Sequence, residues 1–378
     1  MSSVVVFTPD VVGERMAGPG IRAYYFAREL AKHFPTSLIA DFQDFALHDE
    51  SFTAIQRDTA EARWALLRGT VVVGQPVREI LALPKRDRRL VLDLFDPTVL
   101  ELRELYGDHP SVRQSVHYNR EWARLRMALQ NGDVLISATQ RQRDFYSGVY
   151  CSFGRVREDW LRRWIDVPFG IDLDAPAGDG DSPLDPSRPW IIWGGGTWAW
   201  LDPVTAVDSV LRLNERGIDC RLLFLGGSRP NGAVGEATRN RALGKLIIRA
   251  GDVVVRNSEW VPYAQRGRWL HSARAAIMLH KQSLEAEFSI RTRVFDALWC
   301  SLPVVATEGG FAADLVRREG CGITVAPADV GAVEAALERL LTDNVFHATC
   351  VSNIDRIRSR FDWTSVTRPL IEAIKSWE

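Results

Sequence analysis

DLDAPAGDGDSPLDPSRPWIIWGGG, residues 172–196, decides the fold. Over 172–188 glycine, proline, serine and aspartate dominate and no apolar period survives, which is linker composition. Directly after it, Trp190-Ile191-Ile192-Trp193 is a short apolar run that closes on three glycines, as a buried strand entering a tight turn does. One domain therefore ends here and another begins. Outward on both sides, short β-branched runs alternate with longer amphipathic stretches, the pattern of βαβ units and parallel sheets. Upstream, strands are expected over 4–8, 37–40, 70–73, 90–94, 134–137 and 165–167; downstream, over 190–193, 221–225, 253–256, 275–279, 304–306 and 322–325. The fold class is α/β: two Rossmann-like, doubly wound domains, 1–171 and 189–362, joined by the linker 172–188. Ligands of open parallel sheets bind beyond the strands' carboxyl ends where strand order reverses, so a cleft between the two domains is expected. Residues 363–378 predict a final helix with Leu370, Ile371, Ile374 and Trp377 as its apolar stripe, able to cross back to the first domain.

A chain of 378 residues suits two ordinary domains. Charged residues make up 25%, the apolar set 46%, and the net charge is -1, which excludes a disordered chain and a basic nucleic-acid binder. The opening MSSVVVFTPD lacks a basic leader, and no stretch reaches the roughly 18 apolar residues of a membrane helix. A cytoplasmic protein with at most peripheral membrane contact is expected. Cys151, Cys220, Cys300, Cys321 and Cys350 form no CxxC and no zinc-type cluster, so reduced thiols and no bound metal are expected.

Three loops could carry chemistry. Gly18-Pro19-Gly20-Ile21-Arg22 lies between the first strand and a helix expected over 21–33; its glycines and first-turn amides suit an anion, and Arg22 would add a mobile positive charge. A plain strand-to-helix turn with a surface arginine accounts for it equally well. Gly194, Gly196 and Ala199 fit the loose glycine pattern of a dinucleotide site, with Gly195, Thr197 and Trp198 in the same loop. The acids near the required distance, Glu215 and Asp219, precede the next strand instead of ending it. The third stretch, HKQSLEAEFSIRTRVFDALWCSLPVVATEGG over 280–310, puts Glu285 and Glu287 in a polar loop ahead of a helix expected over 290–300. Arg291 and Arg293 fall in its first turn, where cations oppose the helix dipole unless an anion sits there. Asp296, three residues after Arg293, shares its face and suits a ribose diol, or forms a solvated intrahelical ion pair.

The stretch 285–307, with Arg291-Thr292-Arg293, Asp296 and Leu302-Pro303-Val304-Val305, resembles the donor segment of family-four glycosyltransferases of the GT-B fold, in a bacterial polysaccharide or natural-product branch. Ala17-Gly18-Pro19-Gly20-Ile21-Arg22, Asp93-Leu94-Phe95-Asp96-Pro97, Arg141-Gln142-Arg143-Asp144 and Asp166-Val167-Pro168-Phe169-Gly170 are similar to further segments of that branch, in order along nearly the whole chain. The resemblance implies a retaining, metal-independent hexosyltransferase with no cofactor. Its second domain would grip a nucleotide-diphosphate sugar and its first would hold an acceptor, whether glycan, lipid-linked or small molecule. It implies Arg293 and Glu285 as catalytic, joined by Asp93 or Asp96 toward the acceptor, the latter two serving equally as caps of a helix near Thr98. Donor contacts are implied for Gly18, Gly20, Arg22, Gly195, Gly196, Thr197, Trp198, Trp260, Val261, Glu287, Ser289, Ile290, Arg291, Thr292 and Asp296. The family's glutamate pair is separated by seven residues, whereas Glu287 precedes Asp296 by nine and Glu285 by eleven, so either acid could meet the sugar. No lysine or arginine follows the glycines of 194–196, leaving Arg293, with Arg291 and the Gly20 amide, to neutralise the diphosphate.

Rival readings are an NAD(P)-dependent oxidoreductase using Gly194 to Ala199, a same-fold nucleotide-sugar epimerase or phosphorylase, and a two-lobed solute-binding protein.

Overall fold

The computed structural model describes residues 2–43, 50–85, 87–154, 157–174, 183–226, 241–257 and 259–378. Part of the expected linker, 175–182, lies outside the described residues. The chain divides into two compact units: Met1–Gly170 with Phe288–Ile290 and Trp363–Glu378, and Ile171–Glu287 with Arg291–Asp362.

The first unit is built on β1 (Val4–Gly13), β2 (Thr36–Gln43), β3 (Thr53–Gln56), β4 (Val71–Gly74), β5 (Arg89–Asp93), β6 (Val134–Ser137) and β7 (Trp164–Asp166). They form one parallel sheet in the order β3-β2-β1-β4-β5-β6-β7. β4 and β6 are buried at every residue, as parallel strands are, which is why they read as unbroken apolar runs. β1 outruns the expected 4–8: its pairing with β2 shifts register between Phe7 and Val11 and then resumes, with Val11 and Val12 buried. The polar Thr8-Pro9-Asp10 masks that continuation in the sequence. β3 was not anticipated, because only Ile55 of its four residues is buried and no apolar run marks it.

The helix Gly18–Ala31 follows β1 so closely that a Cβ on Gly20 would stand 2.2 Å from the Val11 carbonyl oxygen. The terminal segment forms two short helices, Trp363–Val366 and Arg368–Lys375. Trp363 stacks on Tyr25 at 4.9 Å, and Thr364 Oγ1 donates to Glu29 Oε2 at 3.1 Å. Phe288 lies 4.9 Å from Phe145 and packs on the first unit's core.

The second unit holds β8 (Trp190–Trp193), β9 (Arg221–Phe224), β10 (Val254–Arg256), β11 (Ala275–Met278), β12 (Val304–Thr307) and β13 (Gly322–Val325), parallel throughout, in the order β10-β9-β8-β11-β12-β13. Trp193, Phe224, Ile277 and Val305 sit in its core. Strand order reverses between β8 and β11, so the chain leaves their carboxyl ends side by side, at Gly194 and at Leu279-His280.

Candidate functional site

At the end of β8 the chain turns through Gly194 to Gly196 and enters the helix Pro203–Glu215, capped by Asp202, whose side chain accepts from the Thr205 amide. Gly195 has φ +123°, a conformation L side chains rarely adopt. The Gly196 carbonyl accepts from Trp193 Nε1 at 3.1 Å and from Arg293 Nη2 at 3.0 Å, so a core indole and a guanidinium pin the loop together. Thr197 is half-buried. The Trp198 ring sits against Gly196, where a Cβ would come within 2.9 Å of it, and packs on the unit's core. Trp198 is therefore hydrophobic cover for the glycine turn.

Two residues past the end of β11 stands His280, which is buried. Its amide donates to Thr307 Oγ1 at 3.1 Å and its Nδ1 lies 3.1 Å from the Lys281 carbonyl oxygen. Burial, and next the Arg291 charge, hold its pKa below the ordinary histidine value. Lys281 Nζ donates to the Ala199 carbonyl at 2.7 Å, tying the exit of β11 to the glycine turn.

The segment after β11 departs from expectation at its helix start. A helix over 290–300 places both arginines in one first turn; the helix runs Arg293–Trp299, and Arg291 stands before it with φ +54°. With Arg291 outside the helix at that left-handed φ, the two guanidinium groups reach different partners. Arg291 turns back onto Glu285, with Nη1 2.6 Å from Oε1 and Nη2 2.5 Å from Oε2. Glu285 is wholly buried, so both its oxygens are occupied by this bidentate pair. Glu287 is half-buried beside Gly309, where a Cβ would lie 2.7 Å from Glu287 Oε1 and 3.9 Å from His280 Cε1.

Arg293, the first residue of its helix, reaches the glycine turn. It is half-buried and forms no ion pair among the described residues. Burial, and next the neighbouring Arg291 charge, push its pKa down to about 10. Asp296 does not pair with Arg293 as the same-face reading expects. Its Oδ1 lies 3.1 Å from Arg266 Nε, because the helix Arg266–His271 brings that arginine alongside. Burial raises the Asp296 pKa, with Arg266 and then Arg293 opposing. Arg291, Arg293, His280 and Thr307 line a small pocket walled by Trp193 and Met278.

Thr292, Trp260 and Val261 are half-buried. Ser289 and Ile290 are buried and fall with the first unit. There Gly18 is half-buried and Gly20 buried against β1. Arg22 is no mobile charge: it is 1% exposed and lies over the Phe26 and Phe95 rings. Its Nε and Nη2 donate to Asp93 at 2.6 and 3.1 Å, and its remaining bonds go to the Val167 and Pro168 carbonyls. Asp93, at the end of β5, is thereby committed to Arg22. Asp96 is half-buried and accepts from Gln75 Nε2 at 3.4 Å; the helix Thr98–Tyr106 is preceded by Pro97 and has no side-chain cap, so neither aspartate serves as one.

Two residues of this arrangement escaped the sequence reading. His280 was visible only as a histidine closing an apolar strand, and Arg266 had no signal, since nothing local links it to Asp296.

Residues 197–343 match a family model described as Glycosyl transferases group 1. A search of curated protein sequences gives no match. Among solved structures the chain is similar to a sucrose-phosphate synthase from Thermosynechococcus elongatus, at 16% identity and TM-score 0.70 over 100% of this chain and 99% of that one. It is similar to Anabaena HepE in complex with UDP-glucose, at 15% identity and TM-score 0.70 over 100% of both chains. It is similar as well to WaaG, a glycosyltransferase involved in lipopolysaccharide biosynthesis, at 14% identity and TM-score 0.70 over 98% of this chain and 99% of that one. These likenesses establish the GT-B fold. With a group 1 glycosyl transferase domain over residues 197–343 of that fold, the protein is a glycosyltransferase.

Proposed function

We propose that the protein moves a hexosyl group from a nucleoside-diphosphate sugar to an acceptor hydroxyl with retention of anomeric configuration and without a metal ion. The observation that carries this reading is Arg293: a half-buried guanidinium on a glycine turn, with no acidic partner among the described residues, in a pocket that already holds a neutralised Arg291–Glu285 pair. A buried cation of that kind calls for an anionic ligand. In the proposed step the C1–O bond to the diphosphate breaks and its electron pair leaves with the nucleoside diphosphate. The acceptor oxygen bonds to C1 on the same face, and its proton passes to the departing phosphate oxygen. Arg293 meets the charge that grows on the departing phosphate oxygens, which is preorganised electrostatic stabilisation. Because Arg291 takes both oxygens of Glu285, the sugar contact falls to Glu287, and Glu285 is the support that keeps Arg291 in place. Asp296 takes the ribose diol. The acceptor is assigned to the first unit, where the buried Asp93 is committed to Arg22.

The relative solved with UDP-glucose makes UDP-sugars the first donors to test. The experiment is a hydrolysis and transfer screen of UDP-, GDP-, TDP- and CDP-hexoses with EDTA present, followed by NMR of the anomeric proton. Turnover of one donor with the product anomer matching the donor supports the proposal. Inversion overturns retention, and turnover that appears only after a divalent ion is added overturns metal independence.

A further inference from the structure

Asp296 faces a second cation that is built in with unusual care. Arg266 Nε stands 3.1 Å from Asp296 Oδ1. The guanidinium carbon lies 3.7 Å from the centroid of the Tyr263 ring and 4.9 Å from that of Trp299. Side-chain exposure is 13% for Arg266 and 28% for Asp296, so the cation is the more enclosed of the two. Arg266 Nε meets Oδ1 as an ion pair and not as an aligned hydrogen bond, and the carboxylate accepts no hydrogen bond among the described residues. Two separate segments supply the clamp: the turn Tyr263–Gln265 running into the helix Arg266–His271, and the helix Arg293–Trp299. An exposed ion pair needs no such housing.

We propose that Arg266 is a positioning residue which fixes the Asp296 carboxylate for a vicinal diol, so that the pair, and not Asp296 alone, selects ribonucleotides over deoxyribonucleotides. The inference rests on the nucleotide-sugar reading of the site. A carboxylate that accepts hydrogen bonds from both hydroxyls of a diol must be ionised and held at one rotation. Burial draws Asp296 toward its protonated form, and Arg266 comes ahead of Arg293 among the groups that oppose this. Arg293 donates to the Gly196 carbonyl and forms no ion pair with Asp296.

The test measures dissociation constants by titration calorimetry for UDP, GDP, ADP and CDP and for the 2′,3′-dideoxy form of each, on wild type, D296N, R266Q and R266K. Wild type is expected to prefer one ribonucleotide over its dideoxy form by roughly tenfold or more, the worth of hydrogen bonds to a charged group. That ratio falls to about one in D296N and R266Q, and to an intermediate value in R266K, which keeps the charge but loses the planar contacts. A wild type that binds none of the four, or does not discriminate, overturns the nucleotide reading and this inference with it. Discrimination lost in D296N but kept in full by R266Q, or by R266K should R266Q not fold, overturns the role of Arg266 alone.

Discussion

The Arg293 guanidinium lies so close over Gly195 that a Cβ on the glycine would stand 2.6 Å from Nε and 2.9 Å from Nη2. The glycine's missing side chain is the space the cation occupies. Arg293→Ala is expected to lower turnover by roughly ten- to a hundredfold, since a charge-assisted bond is worth about 1.5 to 3 kcal/mol and 1.4 kcal/mol is tenfold in rate. Gly195→Ala strains a backbone at φ +123° and displaces the guanidinium, so it should reproduce most of that loss. The double variant should be little worse than either single one, because both remove the same interaction. Additive losses, read from kcat/KM, would mean that the loop and the arginine act separately.

Arg22 and Asp93 make a buried bidentate pair that also satisfies the Val167 and Pro168 carbonyls. Removing one partner leaves the other charge buried and uncompensated, at a cost of about 3 to 5 kcal/mol. Asp93→Asn and Arg22→Gln should each lose stability of that order in urea denaturation. A nucleotide ligand that rescued Arg22→Gln would instead return Arg22 to the donor site.

How much of this was legible follows from where each signal lives. The strands at 134–137 and 190–193 appear with the bounds the sequence predicts, because a buried parallel strand is a compact apolar run between turn residues. β3 was invisible, since an edge strand with one buried residue in four has no period to detect. Arg293, Asp296 and the acids 285 and 287 could be singled out by residue type, yet their pairings could not. Whether Arg291 meets a ligand or Glu285 turns on one left-handed residue, and whether Asp296 meets Arg293 or Arg266 turns on how two helices lie together. Arg22, on the helix Gly18–Ala31, meets Asp93 at the end of β5, a pairing between distant parts of the chain that no local pattern reports.

Glu285 and Glu287 separate support from contact. Glu285→Gln leaves the Arg291 charge without a counter-ion in a buried place, and is expected to lower thermal stability and turnover together. Glu287→Gln removes a half-buried acid and should lower turnover while the melting temperature changes little. The pair of readouts, melting curve and kcat, decides: the opposite pattern would return the sugar contact to Glu285.

His271, His280 and His347 all have pKa values held below the ordinary 6.5, in each case chiefly by burial. A histidine of depressed pKa binds more protons unfolded than folded, so stability rises with pH across the interval between the two values. Stability is therefore full above about 6.5 and is lost as pH falls from there through the folded values. Denaturant midpoints measured from pH 7.5 down to 5 should fall, and His280→Asn should flatten part of the slope. A slope unchanged by that substitution would place the proton uptake on the other two rings.

Asp296 carries the opposite sign. Burial raises its pKa in the folded protein, so the folded state binds its proton more readily than the unfolded one does. Its contribution is favourable at low pH and is lost as pH rises through the folded value, which makes the ionised carboxylate a net burden at neutrality in the ligand-free protein. Retaining such an acid makes sense when a ligand needs its charge. Asp296→Asn should then leave ligand-free stability at pH 7 within about 1 kcal/mol of wild type, the range of a mild substitution. The same variant should lose most of the stabilisation that a saturating nucleotide confers, which is about 2.7 kcal/mol at a hundred times the dissociation constant. Thermal shift with and without nucleotide measures both quantities on one plate. Asp296→Asn melting far below wild type with full nucleotide stabilisation retained would make the residue a structural partner of Arg266 and nothing more.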